Sequence, residues 1–125
     1  MAPTRVLIAD DNPAFRTFLR QILEVERDLS VVGEAADAEE AVRLARQLKP
    51  NVVLLDIDLP GPYGLQAALR IKSWVPGARV IIMLSEVDEE AHREAALKHG
   101  ADAFLTKGAP VWEIVSLIRL GLPVT

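Results

Sequence analysis

The chain has 125 residues, a length that suits a single domain with one sizeable core. Half of the residues are apolar and the net charge is −4, which offers no electrostatic footprint for direct binding to nucleic acid. The absence of cysteine excludes disulfides, thiolate metal sites and cysteine nucleophiles. Neither a signal segment nor a membrane-spanning apolar run is visible, so we predict a cytoplasmic protein that does not contact the membrane.

The first half of the chain alternates short apolar runs with helical patterns. Residues 5–9 predict a strand, and the Asn-Pro step at 12–13 is typical of a helix start, because Asn caps and Pro fits the first helical position. A second strand is predicted over residues 30–33, and Asp37 with Glu40 has the spacing of a capping box for a second helix. The predicted buried positions of these two helices are Phe15, Phe18, Leu19, Ile22 and Leu23, then Ala41, Leu44, Ala45 and Leu48.

The second half continues the alternation. Residues 52–55 are all branched or aliphatic, as in a strand buried on both faces. Two further strands are predicted at 80–84 and 103–106, and the residues that follow these three strands are Asp56, Ser85 and Lys107. Helices are predicted after Gly64, from the acidic residues 88–90 to Gly100, and from Pro110. The predicted buried positions of the first and last of these helices are Leu65, Ala68 and Leu69, then Val111, Ile114, Val115 and Ile118.

Five strands that alternate with five helices predict an α/β fold, in which a parallel sheet carries helices on both faces. The sequence contains no internal repeat, low-complexity segment or obvious linker. We therefore expect residues 1–125 to form one domain.

The strands bring chemically useful side chains to one edge of the predicted sheet, because the carboxyl ends of parallel strands lie together. These residues are Asp10, Asp11, Asp56, Ser85 and Lys107. Carboxylates this close repel one another unless a cation lies among them, and an all-oxygen set on an open edge suits Mg²⁺. The lysine and the hydroxyl would supply donors to a phosphoryl group. Asp56 is the natural nucleophile, since the central strand places it between the metal ligands and the lysine.

Each of these residues also has a simpler interpretation. Asp10 and Asp11 could belong to a helix-capping turn, and Asp56 could be a loop acid. Ser85 could be a turn residue and Lys107 a solvated surface lysine. We favour the phosphoryl site because four separate strands each deliver one part of it.

The chain resembles the receiver domains of two-component response regulators, the CheY-like family, over essentially its whole length. The matching residues are Asp10-Asp11, Asp56 with Leu59-Pro60-Gly61 and Gly64, Ser85, and Lys107. The resemblance implies a single flavodoxin-like domain, a three-layer (βα)5 arrangement with the parallel strand order 2-1-3-4-5.

The resemblance further implies that Asp56 accepts a phosphoryl group from a sensor histidine kinase. Asp11 and Asp56 would bind Mg²⁺ through their carboxylates, Asp58 through its backbone carbonyl and Asp10 through water. Apart from this transfer and the hydrolysis of its own phosphoryl group, the domain would be a signalling module and not an enzyme.

Switching would involve Ser85 and Lys107, which contact the phosphoryl group in the family. Phe104 matches the family's aromatic switch position, which rotates inward when Ser85 moves, although on its own it could be a core aromatic. The change would reach the surface formed by the fourth helix, the fifth strand and the last helix. Dimerisation on phosphorylation is a further expectation.

Three departures from the family pattern stand out. Glu86 replaces a small residue and could obstruct the phosphoryl group or point to solvent. Tyr63, after Pro62, replaces small polar residues and could stiffen the loop. Gly108 follows the lysine where proline is common, which resembles the subfamily with a helix-turn-helix output domain, and such a domain could follow residue 125.

Two other functions remain open. A binding module could keep the fold and signal without phosphate, which the Glu86 and Tyr63 departures would favour. A haloacid-dehalogenase-type phosphatase is less favoured: residues 54–58 resemble its opening motif, but the motif falls in mid-chain and leaves no room for a cap domain.

Overall fold

The computed structural model describes residues 2–60, 66–85, 94 and 100–120, which contain five strands and four complete helices. The strands are β1 (Thr4–Ala9), β2 (Leu29–Ala35), β3 (Val52–Asp56), β4 (Arg79–Leu84) and β5 (Ala103–Thr106). The helices are α1 (Pro13–Glu24), α2 (Ala38–Leu48), α3 (Ala67–Trp74) and α4 (Val111–Leu120). The helix predicted between residues 88 and 100 lies almost entirely outside the described residues. In the described part of the chain, no helix has the length and apolar character needed to span a bilayer.

The sheet has the predicted topology. All neighbouring strands pair in parallel, in the order β2-β1-β3-β4-β5. β3 is buried along its whole length, as the unbroken apolar run predicts. One core cluster joins the sheet to α2 and α3, and a second joins its other face to α1 and α4. The fold is therefore a three-layer α/β arrangement that holds all strand ends of one sense along a single edge.

Both predicted helix starts in the first half are confirmed, one with a local difference. The Asn12 side chain accepts from the backbone N–H groups of Ala14 and Phe15. Asp37 accepts from the N–H of Glu40, but the Glu40 carboxylate reaches back to the N–H of Ala36 and not to that of Asp37. The capping interaction thus covers one more residue than the usual box.

Three predicted core positions are wrong. Phe18 is 39% exposed, Leu69 is 47% exposed and Val111 is 44% exposed. Successive helical residues are rotated by about 100°. Phe18 and Leu69 therefore lie beside Leu19 and Ala68, which face the sheet. Val111 is the first residue of α4, one turn before its buried stripe begins.

The β1–β2 pair contains an irregularity at Val32. Val6 is level with Val31, but Leu7 is level with Gly33, so β2 has one residue more than β1 at this point. Beyond it, Glu34 is level with Ile8 and Ala35 with Ala9. Such a bulge reverses the alternation of side chains along a strand. It turns Glu34 toward the face covered by α1, the face to which Ile8 also belongs.

Candidate functional site

Three carboxylates meet at the carboxyl edge of the sheet. Asp10 follows β1 and is fully buried, Asp56 ends β3 and is 3% exposed, and Asp11 is exposed. One oxygen from each of them lies within 4.8 Å of the others. Hard divalent cations such as Mg²⁺ are bound by oxygen ligands of this kind, and two acids without full access to water gain most from a cation. The donor set therefore fits Mg²⁺.

Backbone contacts explain why the two buried acids lie side by side. The N–H of Asp10 donates to the carbonyl of Ala35 at 2.9 Å, which continues the β1–β2 pairing to the edge. Asp56 is paired with Met83 of β4. Each acid also accepts from the backbone two residues further on, Asp10 from Asn12 at 2.9 Å and Asp56 from Asp58 at 3.2 Å. The strand ends thus fix both carboxylates.

Lys107 connects these acids. Its backbone N–H donates to the carbonyl of Leu84 at 2.8 Å, which brings the residue after β5 to the end of β4. Its Nζ lies 2.7 Å from Oδ2 of Asp10 and 3.3 Å from Oδ2 of Asp56. The ring centroid of Phe15 lies 5.0 Å from the same Nζ. A single ammonium group therefore neutralises part of the charge of both buried carboxylates.

The electrostatics of the site follow from this arrangement. Burial raises the pKa of Asp56, and the neighbouring Asp10 charge raises it further, while the Asp58 N–H and Lys107 only partly oppose this. Burial works to lower the pKa of Lys107, but its contacts with Asp10 and Asp56 outweigh burial and hold that pKa above its ordinary value. Lys107 thus stays charged, but its positive charge does not offset the effects of burial and of Asp10 on Asp56.

The structure describes three more of the predicted site residues. Ser85 directly follows β4 at the carboxyl edge and is partly buried. Phe104 lies in β5, level with Ile82, and packs against the core on the α2–α3 side. The side chain of Asp58 is exposed. Tyr63 and Glu86 lie outside the described residues.

Arg16 and Glu34 were not predicted from the sequence as site residues. Arg16 nevertheless contacts the backbone of Asp10, and Glu34 contacts Arg16. Nη1 of Arg16 donates to the backbone carbonyl of Asp10 at 2.6 Å, and its Nε donates to Glu34 at 3.1 Å. A basic residue near a helix N-terminus opposes the helix dipole. The position of Arg16 in the sequence does not identify its partner, because that partner is a backbone carbonyl.

Comparison with known proteins agrees with the geometry. Residues 6–119 match the profile of the response regulator receiver domain. The chain is 35% identical over 115 residues to the uncharacterized transcriptional regulatory protein YxjL of Bacillus subtilis, covering 92% of this chain and 52% of that protein. It is 42% identical over 106 residues to a protein-glutamate methylesterase/protein-glutamine glutaminase of Myxococcus xanthus, covering 84% of this chain and 30% of that protein.

A solved structure is also similar along its whole length. The signal receiver domain of the putative response regulator NarL from Mycobacterium tuberculosis has a TM-score of 0.89 and 36% sequence identity, with 97% of both chains covered. The curated relatives are longer: the chain spans about half of one and less than a third of the other.

Proposed function

The chain belongs to the response regulator receiver domain family, and from this membership we propose that it is a phosphorylation switch in which Asp56 accepts a phosphoryl group from a sensor histidine kinase. One observation carries the proposal. The Nζ of Lys107 lies 2.7 Å and 3.3 Å from two buried acids, Asp10 and Asp56, and Asp11 completes a three-carboxylate cluster beside them. A nucleophilic carboxylate, an oxygen donor set for a cation and a fixed ammonium group are the parts that phosphoryl transfer requires.

In the proposed reaction, the bond between phosphorus and the imidazole nitrogen of the kinase's phosphohistidine breaks. A bond forms between phosphorus and a carboxylate oxygen of Asp56, and the imidazole nitrogen keeps the electron pair of the broken bond. Bound Mg²⁺ would supply positive charge to the phosphoryl oxygens. Asp11, Asp56 and the backbone carbonyl of Asp58 would hold the cation, with Asp10 acting through water.

Lys107 and Ser85 would contact the phosphoryl group after the transfer. Once Asp56 carries a phosphoryl group, the Lys107 ammonium pairs with one of its oxygens and the Ser85 hydroxyl donates to another. The movement of Ser85 lets Phe104 rotate inward. The surface formed by the helix predicted between residues 88 and 100, by β5 and by α4 then changes. This surface is where we place the response to the signal.

The direct test is phosphorylation by a small donor. The protein is incubated with Mg²⁺ and acetyl phosphate, and the intact protein is weighed. We expect a mass increase of one phosphoryl group in the wild type and none in Asp56→Asn. Asp58→Asn is the matched control, because it removes an exposed carboxylate two residues away and should keep the adduct.

A wild type without an adduct leads to a second readout, because Glu86 could exclude small donors. Beryllofluoride is added with Mg²⁺ and amide NMR signals are followed. Shifts at Ser85 and Phe104 would support the switch, whereas no adduct and no shifts would overturn it and favour a module that signals without phosphate. Steady turnover of a phosphomonoester that Asp58→Asn abolishes would instead indicate the phosphatase.

The response of the whole protein is a separate proposal. Because the curated relatives are longer than this chain, we propose that the receiver domain acts within a longer cytoplasmic regulator, with transcription as its output. We also propose that phosphorylation promotes a homodimer. A sedimentation profile unchanged by beryllofluoride would contradict the dimer, and the length of the intact gene beyond Thr125 tests the output domain.

A further inference from the structure

The guanidinium of Arg16 links the backbone of Asp10, at the acidic site, to Glu34 of β2, an edge strand of the sheet. Its Nη1 lies 2.6 Å from the backbone carbonyl oxygen of Asp10, and its Nε lies 3.1 Å from Oε1 of Glu34. The side chains of Arg16 and Glu34 are 19% and 17% exposed, so both contacts are largely removed from water. Arg20, one helical turn further along α1, also forms an ion pair with Glu34.

The contact with Asp10 matters because of the peptide group to which that carbonyl belongs. This group joins Asp10 to Asp11, and its orientation sets the directions in which both carboxylates leave the backbone. The N–H of Asp10 is already held by Ala35, and the N–H of Asn12 is held by the Asp10 side chain. The bond from Arg16 holds the carbonyl of the peptide group that lies between these two contacts.

Arginine suits this task better than lysine. A planar guanidinium can donate in two fixed directions at once, here to a backbone carbonyl and to a carboxylate. Glu34 in turn depends on the extra residue at Val32, which turns it toward α1. The contact between Arg16 and Glu34 therefore depends on the register of β2 and on the position of Arg16 in the first turns of α1.

We propose that Arg16 is a positioning residue for the divalent cation site, with Glu34 as its anchor; the proposal rests on the proposed function, in which Asp11 and Asp56 bind Mg²⁺. Arg16 is not itself a ligand. Groups that orient the ligands of a metal typically change its affinity by about 10–100-fold when they are removed. We expect the loss of Arg16 to weaken Mg²⁺ binding by a factor within this range.

The sign of this effect separates positioning from simple electrostatics. Arg16 is positively charged and lies close to the site, so its charge repels Mg²⁺ and its removal would strengthen binding if charge alone mattered. Positioning predicts the opposite change. Arg20 provides a matched control, because it carries the same charge on the same helix and pairs with the same Glu34.

The experiment measures Mg²⁺ affinity of the full chain by isothermal titration calorimetry, at a temperature where every variant is folded by circular dichroism. Arg16→Met should bind Mg²⁺ about 10–100-fold more weakly than the wild type. Arg16→Lys should lie between the two, because an ammonium cannot hold both partners in the same geometry. Arg20→Met should bind Mg²⁺ as the wild type does or slightly more tightly, although it also loses an ion pair.

Each result has a defined meaning. If Arg16→Met and Arg16→Lys both bind Mg²⁺ as tightly as the wild type, Arg16 has only a structural role and the proposal is overturned. An equal weakening in Arg20→Met would also overturn it, because the effect would then not depend on the Asp10 carbonyl. If Arg16→Met does not fold, Arg16→Lys and Glu34→Gln decide in the same way. A wild type that binds no Mg²⁺ would reject the cation site of the proposed function itself, a failure that no Arg16 variant could produce.

Discussion

Replacement of Lys107 by Met would remove the ammonium group that lies between two buried carboxylates. Asp10 is fully buried and Asp56 is 3% exposed, so neither acid can turn to water when the cation is lost. Met has a similar length and no charge, which keeps most of the packing of the lysine side chain. We therefore expect the variant to be less stable than the wild type when no divalent cation is present.

The size of the effect follows from the distances. At 2.7 Å from Asp10 and an effective dielectric constant of about 20, the gross attraction is about 6 kcal/mol. The desolvation of Lys107 in the folded wild type offsets part of this energy. Breaking a buried ion pair by removal of one partner costs about 3–5 kcal/mol. Because the lysine side chain keeps 27% of its exposure, we expect the lower end, about 3 kcal/mol. For 125 residues, this corresponds to a decrease in Tm of about 11 °C.

The assay is urea unfolding followed by circular dichroism, in buffer that contains EDTA. Lys72→Met is the control, since the Nζ of Lys72 also lies 2.7 Å from a carboxylate, that of Asp102, and its side chain is 29% exposed. Asp102 is 32% exposed and keeps a hydrogen bond from the N–H of Val80. We expect the control to lose about 1 kcal/mol or less.

The comparison can refute this reasoning. If Lys107→Met and Lys72→Met lose the same free energy of unfolding, the buried acids do not depend on Lys107 for charge compensation. Mg²⁺ provides a second check, because a cation among the acids replaces the missing charge. Its addition should recover more stability in Lys107→Met than it adds to the wild type, and an equal gain in both would contradict the proposed overlap between lysine and cation.

Three other predictions concern single residues. The raised pKa of Asp56 means that the folded state holds this proton more tightly than the unfolded state, whose pKa is near 3.8. We therefore compare the free energy of unfolding of the wild type with that of Asp56→Asn in EDTA. The difference should fall as the pH rises from about 3.8 through the pKa of Asp56 in the folded state. A difference that does not change with pH would be contrary to this. Mg²⁺ at about one hundred times its Kd should stabilise the wild type by about 2.7 kcal/mol, and thermal unfolding of Asp11→Asn should show a smaller gain; equal gains would argue against Asp11 as a ligand. Asp37→Ala should lose about 1 kcal/mol in urea unfolding with unchanged Mg²⁺ affinity, whereas Asp37→Asn should retain most of the cap.

The convergence of the acids and Lys107 could be predicted because it depends on strand ends alone. A run of apolar residues marks each strand, and the parallel arrangement takes the residues after it to the same edge. The same alternation predicts a parallel sheet with helices on both faces, whereas the strand order 2-1-3-4-5 is implied by the resemblance to receiver domains. None of these features depends on the details of side-chain packing.

Other features depend on rotation and register, which the sequence pattern does not define. The exposure of Leu69 follows from which side of the short helix α3 rests on the sheet, and Ala67, Ala68 and Ile71 take that side. The contact between Arg16 and the Asp10 carbonyl requires a backbone acceptor, and backbone groups leave no trace in the residue pattern. Glu34 could not be assigned to a face because alternation across β2 is broken at Val32.

The irregularity at Val32 also determines how β2 tolerates changes in length. Edge strands with open sides usually accept insertions and deletions more readily than central ones. Here the deletion of Val32 would restore simple alternation and leave Glu34 level with Ile8 and Ala35 level with Ala9. The Glu34 carboxylate would still face α1, and Arg16 would keep its anchor. We therefore expect this edge strand to tolerate the loss of this one residue better than β3, which is buried and paired on both sides.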